Sequence, residues 1–176
     1  MQVVFYSSAQ FGKYELGIET STLVQVILMV QFVAFFSSLL LNQIAKKYGT
    51  KQTILLSLFI WLGVILYAFF MLKTTVDFYI LGFVIALVLG GTQSLSRSLY
   101  SRFIPKGKEA EYFSLYEISD KGTSILGPLL FGLTLQLTES YRIALLSIGL
   151  FFIIGFILLL KINIKKAISE AGNVLA

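Results

Sequence analysis

The sequence predicts an all-α fold, a polytopic membrane helix bundle, and three observations carry that reading. Of its 176 residues, 57% are hydrophobic and only 13% charged, with mean hydropathy +0.85. A soluble domain carries about 25% charged residues. Four apolar runs, at 23–44, 53–72, 78–104 and 141–162, each reach the roughly 20 residues a helix needs to cross a bilayer. The basic residues, finally, gather on one side of these runs.

Taken in order, the opening "QVVFYSSAQF" reads as the outer end of a helix, about 1–12, whose beginning is missing. It has no basic stretch before its apolar run, so a cleaved signal peptide is not expected. The next helix, about 22–44, carries Gln25, Gln31, Ser37, Ser38, Asn42 and Gln43, so part of it is expected to face a cavity. Its aromatics Phe32, Phe35 and Phe36 are expected to pack rather than bind. The helices at about 53–73 and 141–163 are apolar on every side and are expected to face lipid. The helix at about 78–104 ends in "GGTQSLSRSLYSRFI", whose Gly90, Gln93, Ser94, Arg97 and Ser101 fall on one stripe. A less apolar fifth span covers about 112–137.

If the spans alternate, Lys46, Lys47, Lys51, Arg97, Arg102, Lys106, Lys108, Lys161, Lys165 and Lys166 fall on one side. Only Lys13, Lys73 and Arg142 fall on the other, and Lys121 lies inside the membrane. Short-loop lysine and arginine mark the cytoplasmic face, so loops 45–52 and 102–111 and the C-terminus are expected there. The net charge of +5 is then a record of topology. No soluble domain is present to carry nucleic-acid binding, and none is expected.

The fifth span, "FSLYEISDKGTSILGPLLFG", holds Glu117, Asp120 and Lys121 within five residues. At about 100° per residue, these charges share one stripe with Ser124 and Pro128, backed by Leu115, Ile118, Leu126 and Leu129. Three central charges cost up to about 7.5–10 kcal/mol on the insertion scale, against about 3–6 kcal/mol returned by the apolar residues of 113–135. The helix needs partners. Arg97 lies ten residues before Gly107 and Glu117 ten after it. An antiparallel hairpin therefore places them at one depth, and Arg97 is expected to pair with Glu117 or Asp120. Glu117 and Lys121 also form an i,i+4 pair that would neutralise itself. Two readings stay open: a cluster that fixes helix packing, or one that also faces a transport pathway or moves in gating. Gly90, Gly91, Gly127 and Gly132 are expected at close helix contacts, and Pro128 is expected to kink or loosen its helix, with a hinge as the alternative.

The chain has no His and no Cys, which removes disulfides, ordinary zinc sites and the usual nucleophile–base pairs. No G-x-S-x-G elbow occurs either. An enzyme is not expected, nor a metal or cofactor.

The stretch "GGTQSLSRSLYSRFIPKGKEAEYFSLYEISDKGTSILGPLLFG" resembles the signature of the vacuole-effluxer family of the major facilitator superfamily, which includes fungal autophagy-related proteins and bacterial permeases. The matching positions are Gln93, Arg97, Ser98, Pro105, Glu109, Glu111, Lys121, Gly127 and Pro128; "GKYELGI" and "QFVAFF" also fit. The resemblance implies helices 7 to 12 of a twelve-helix fold, the C-terminal half with its first helix truncated, as two inverted three-helix repeats. It makes helices 9 and 12 peripheral. "NQIAKKYGTK" is similar to the superfamily motif G-x-L-A-D-R-x-G-x-[RK] at Ala45, Lys47, Gly49 and Lys51. Asn42 replaces the glycine and Lys46 the aspartate, which weakens the case for a charge-relay gate there.

The function implied is secondary transport of a small polar solute, an amino acid being one candidate, with proton coupling as an option. Glu117 and Asp120 are the candidate proton carriers, Arg97 and Lys121 the candidate carboxylate partners, and Gln93 a further polar position. The alternative is a non-transporting membrane scaffold or regulatory subunit. The expected partners are the solute, the lipid bilayer of a bacterial inner membrane, and a missing N-terminal half or partner chain.

Overall fold

The computed structural model describes residues 2–172. Its elements are α1 (Gln2–Tyr14), α2 (Thr20–Tyr48), α3 (Thr50–Phe70), α4 (Thr75–Ser101), α5 (Glu109–Thr138), α6 (Tyr141–Lys161) and α7 (Ile164–Glu170). The described residues contain no strand. α2, α3, α4 and α6 are long and apolar enough to cross a membrane. Leu28, Phe32, Phe35, Phe59, Leu66 and Phe70 project outward, an apolar surface that suits acyl chains rather than water. The chain is a multi-pass membrane helix bundle.

Several boundaries differ from expectation, for local reasons. Segment 45–52 is not a loop: Lys46 and Lys47 belong to the last turn of α2, Lys51 to the first turn of α3, and Gly49 alone separates the helices. Gly49 has φ 97°, a conformation that costs an L side chain dearly. Its N–H donates to the Ala45 carbonyl, and its own carbonyl accepts from Thr53 N–H, so the reversal leaves both groups bonded. α4 begins at Thr75 because Thr74 and Asp77 form a capping box. There the Asp77 N–H donates to Thr74 Oγ1 at 3.1 Å, and the Asp77 carboxylate accepts from Thr74 N–H at 2.9 Å. α7, not anticipated from the sequence, is capped by Asn163, whose side chain accepts from Lys166 N–H. The N-terminal stub is helical over 2–14, and Met1 lies outside the described residues. α5 runs through Pro128 as one element.

The tightest seam joins α2 and α4. Leu23, Val26, Val30, Ala34, Ser37, Leu41 and Ala45 form one buried row along α2, the three-and-four spacing of a helix face. Against it lie Gly90 and Gly91. A Cβ on Gly90 would collide with the Ala34 carbonyl oxygen, and one on Gly91 with the Leu41 side chain. These glycines let two backbones touch. The Ser37 hydroxyl donates to the Leu87 carbonyl across the seam. Gly132 faces open space instead, which corrects its expected packing role.

α3 packs between α4 and α6. It was expected to face lipid on every side, yet it buries Thr53, Ser57, Trp61, Ile65 and Ala68 and exposes Leu56, Phe59, Leu66 and Phe70. A helix apolar all round has no polar stripe to distinguish lipid from protein, so shape decides its contacts. Trp61 stacks on Phe152 of α6 with centroids 5.2 Å apart. The buried hydroxyls of Thr53 and Ser57 donate to the carbonyls of Gly49 and Thr53, four residues back, as hydroxyls inside apolar helices do.

α3 and α6 cap one another. Arg142, second in α6, donates to the carbonyls of Phe69 and Leu72 at 2.8 and 2.7 Å. Lys51, second in α3, donates to those of Leu160 and Ile162 at 3.0 and 2.7 Å. Each cation meets the last carbonyls of the other helix, which have no intrahelical donor and carry the negative end of its dipole. Arg142 also lies 3.6 Å from Glu15 and over the Phe11 ring.

Candidate functional site

The hairpin of α4 and α5 is built unlike the α2–α4 seam. The two backbones scarcely approach, and side chains bridge them at the basic end. The Tyr100 hydroxyl donates to the Tyr112 carbonyl at 2.8 Å. The Tyr100 ring lies 5.0 Å from that of Tyr116 and 6.1 Å from that of Phe113. The Arg97 guanidinium rests 5.7 Å from the Phe113 centroid and 5.9 Å from that of Tyr116, within range of cation–π attraction. From there its Nη2 donates to Glu117 Oε1 at 3.0 Å.

The ion pair expected across the hairpin therefore forms, and it selects Glu117 over Asp120. The self-neutralising alternative does not occur: among the described residues, Lys121 forms no ion pair with Glu117 or with any other carboxylate. Among the described residues Asp120 has no ion-pair partner either. The stripe thus divides into a closed pair, Arg97–Glu117, and two charges left open.

Beside the pair, a cavity of about 410 Å³ opens between α4, α5 and α6. Gln93 and Ser96 of α4 line it with Tyr116, Asp120, Thr123, Ser124 and Gly127 of α5. Ile148, Phe151, Phe152, Ile154, Gly155 and Leu158 of α6 supply the apolar wall, with Leu58 of α3. The structure thus brings Gln93, Asp120 and Gly127 to one space and sets Arg97 and Glu117 next to it through Tyr116. Gly90 and Gly91 lie instead against α2. Pro128 is exposed and does not line the cavity. Lys47 and Lys51 flank the Gly49 corner, where Lys51 is engaged with α6.

The sequence reasoning missed Tyr116, Ser96 and Thr123, and it missed the α6 wall entirely. Tyr116 precedes the charged run by one residue, and that adjacency was the available signal. Nothing in the all-apolar α6 sequence separates a cavity-facing Phe151 from a lipid-facing one. Chemically, the arrangement offers a carboxylate without an ion-pair partner among the described residues, amide and hydroxyl groups around it, and an apolar wall opposite.

A family model described as vacuole effluxer Atg22-like matches residues 1–172. The uncharacterized MFS-type transporter YxiO of Bacillus subtilis is 37% identical over 152 residues, which cover 86% of this chain and 35% of YxiO. Autophagy-related protein 22 of Pichia angusta is 34% identical over 173 residues, covering 92% of this chain and 31% of its own length. The Kluyveromyces lactis protein of that name is 32% identical over 171 residues, covering 92% and 35%. The chain spans about a third of the length of the curated relatives it matches. No solved structure matches it significantly.

Proposed function

The chain belongs to the vacuole effluxer Atg22-like family, and from that premise we propose that it is the C-terminal six-helix half of a major facilitator carrier for a small polar solute. Amino acids are one candidate class. The observation that carries the reading is the divided charge stripe of α5: Glu117 closed onto Arg97 at 3.0 Å, with Asp120 left open to the adjoining cavity. Charged groups at membrane depth are expensive to keep. A pair that can part, beside a carboxylate that can load, is what a coupled carrier requires. In this reading Asp120 and Glu117 carry protons, Arg97 receives a carboxylate when it parts from Glu117, and Lys121 is a second candidate receiver.

The reciprocal capping of α3 and α6 supports two inverted three-helix repeats, α1–α3 and α4–α6, because Lys51 and Arg142 hold equivalent positions in their helices. The excess of lysine and arginine at the Gly49 corner, in the α4–α5 connection and after α6 supports a cytoplasmic location for that side, in a bacterial inner membrane.

The test is ΔpH-driven uptake of labelled amino acids into proteoliposomes holding this chain, alone and with the remaining length of the B. subtilis relative. Uptake abolished by Asp120→Asn or Glu117→Gln is the expected result. Uptake indifferent to both substitutions removes their coupling role. A stable co-purifying partner with no flux would favour a scaffold or regulatory subunit.

A further inference from the structure

We propose that the cavity between α4, α5 and α6 binds an organic cation with an apolar body, a protonated aliphatic or arylalkyl amine, anchored by the Asp120 carboxylate. The inference needs the cavity alone and not the transport reading, so binding without flux leaves it standing.

Charge is the first argument. Asp120 is the only lining residue with a formal charge, and it forms no ion pair among the described residues. The neighbouring cations do not answer it. Arg97 is held by Glu117 and flanked by the rings of Phe113 and Tyr116, and Lys121 does not line the space. A carboxylate that faces an apolar wall gains from a cation brought in with the ligand.

Shape is the second. The volume of about 410 Å³ lies within the roughly 300–1,000 Å³ of small-molecule sites. Opposite Asp120, Phe151, Phe152, Ile154 and Leu158 offer only hydrocarbon. An ammonium at one end and an apolar group at the other satisfy both walls. An amino-acid zwitterion fits worse, because no lining cation receives its carboxylate.

The chain carries its own reporter. Trp61, its single tryptophan, is fully buried and stacks on Phe152, a wall residue. Tryptophan fluorescence of the purified chain in lipid nanodiscs is therefore titrated with phenethylamine, phenylalanine, 3-phenylpropionate and 2-phenylethanol, which present one aryl body as cation, zwitterion, anion and neutral molecule. A saturable response to phenethylamine is expected, at least about tenfold tighter than to the other three, the size of one charge-assisted contact. Asp120→Asn should weaken it by about tenfold or more, Asp120→Glu should restore part, and Lys73→Gln, outside the cavity, should leave it unchanged. Gly155→Leu gives a second route. Gly155 lines the cavity, and a Cβ there would meet nothing within 4 Å, so leucine should fill the space and abolish the response with the carboxylate intact. Equal responses to all four probes, or full phenethylamine binding in melt-verified Asp120→Asn or Gly155→Leu, overturns the proposal.

Discussion

The Lys51 ammonium lies 2.7 Å from the carbonyl oxygen of Ile162, more than a hundred residues away, and caps the end of α6. Arg142 does the same for α3 at the opposite end of the pair. A short-loop lysine that the sequence assigns to a motif is, in the folded chain, a tie between two helices. Arg142 holds two carbonyls, Glu15 and the Phe11 ring, so it has more to lose. Lys51→Met should cost about 1 kcal/mol and Arg142→Met about 2. The ties sit about 30 Å apart along the helices, so the double variant should show the sum. Thermal unfolding in nanodiscs checks this; strong non-additivity would mean that the ties act as one unit.

Gly90→Ala should destabilise by about 1–3 kcal/mol, because the new methyl would press on the Ala34 carbonyl, and backbone gives way poorly. Gly132→Ala, facing open space, should stay within about 0.5 kcal/mol of the parent. The same melting assay separates them, and equal effects would contradict the backbone contact.

A double-mutant cycle on Arg97→Gln and Glu117→Gln should give a coupling of about 0.5–3 kcal/mol, and the charge swap should regain part of the loss. Lys121→Gln should change stability by less than about 0.5 kcal/mol, since no carboxylate among the described residues holds it. A larger loss at Lys121 than at Arg97 would reverse the assignment of the partner of Glu117.

The proposed orientation has a clean assay because the chain contains no cysteine. In intact spheroplasts, a membrane-impermeant maleimide should label Thr138→Cys and reach Lys108→Cys only after permeabilisation. The opposite pattern places the basic side outside.

The spans were legible because apolar runs must be long to cross lipid. Their ends were not, because Lys46 and Lys47 continue α2 beyond the apolar stretch as readily as leucine would. The Arg97–Glu117 pair was legible from equal distances to Gly107, a constraint that any antiparallel hairpin imposes. What competed with it, the spacing of Glu117 and Lys121, was a local rule overridden by a guanidinium held between two aromatic rings. The α6 wall and the reciprocal caps were not legible. The first depends on which face of a uniformly apolar helix turns inward, and the second on contacts between residues far apart in sequence.

With Gly49 as the sole non-helical residue between them, α2 and α3 have no slack with which to slide lengthwise past one another. Tilting either one drags its neighbour like the second arm of a bent crank. The longer connection at 102–108 gives the basic end of α5 a slack that α3 is denied, while only Glu139 and Ser140 join its other end to α6. Displacement within this bundle should therefore concentrate at the basic end of the helix that bears Glu117 and Asp120, while α2, α3 and α4 travel as a block.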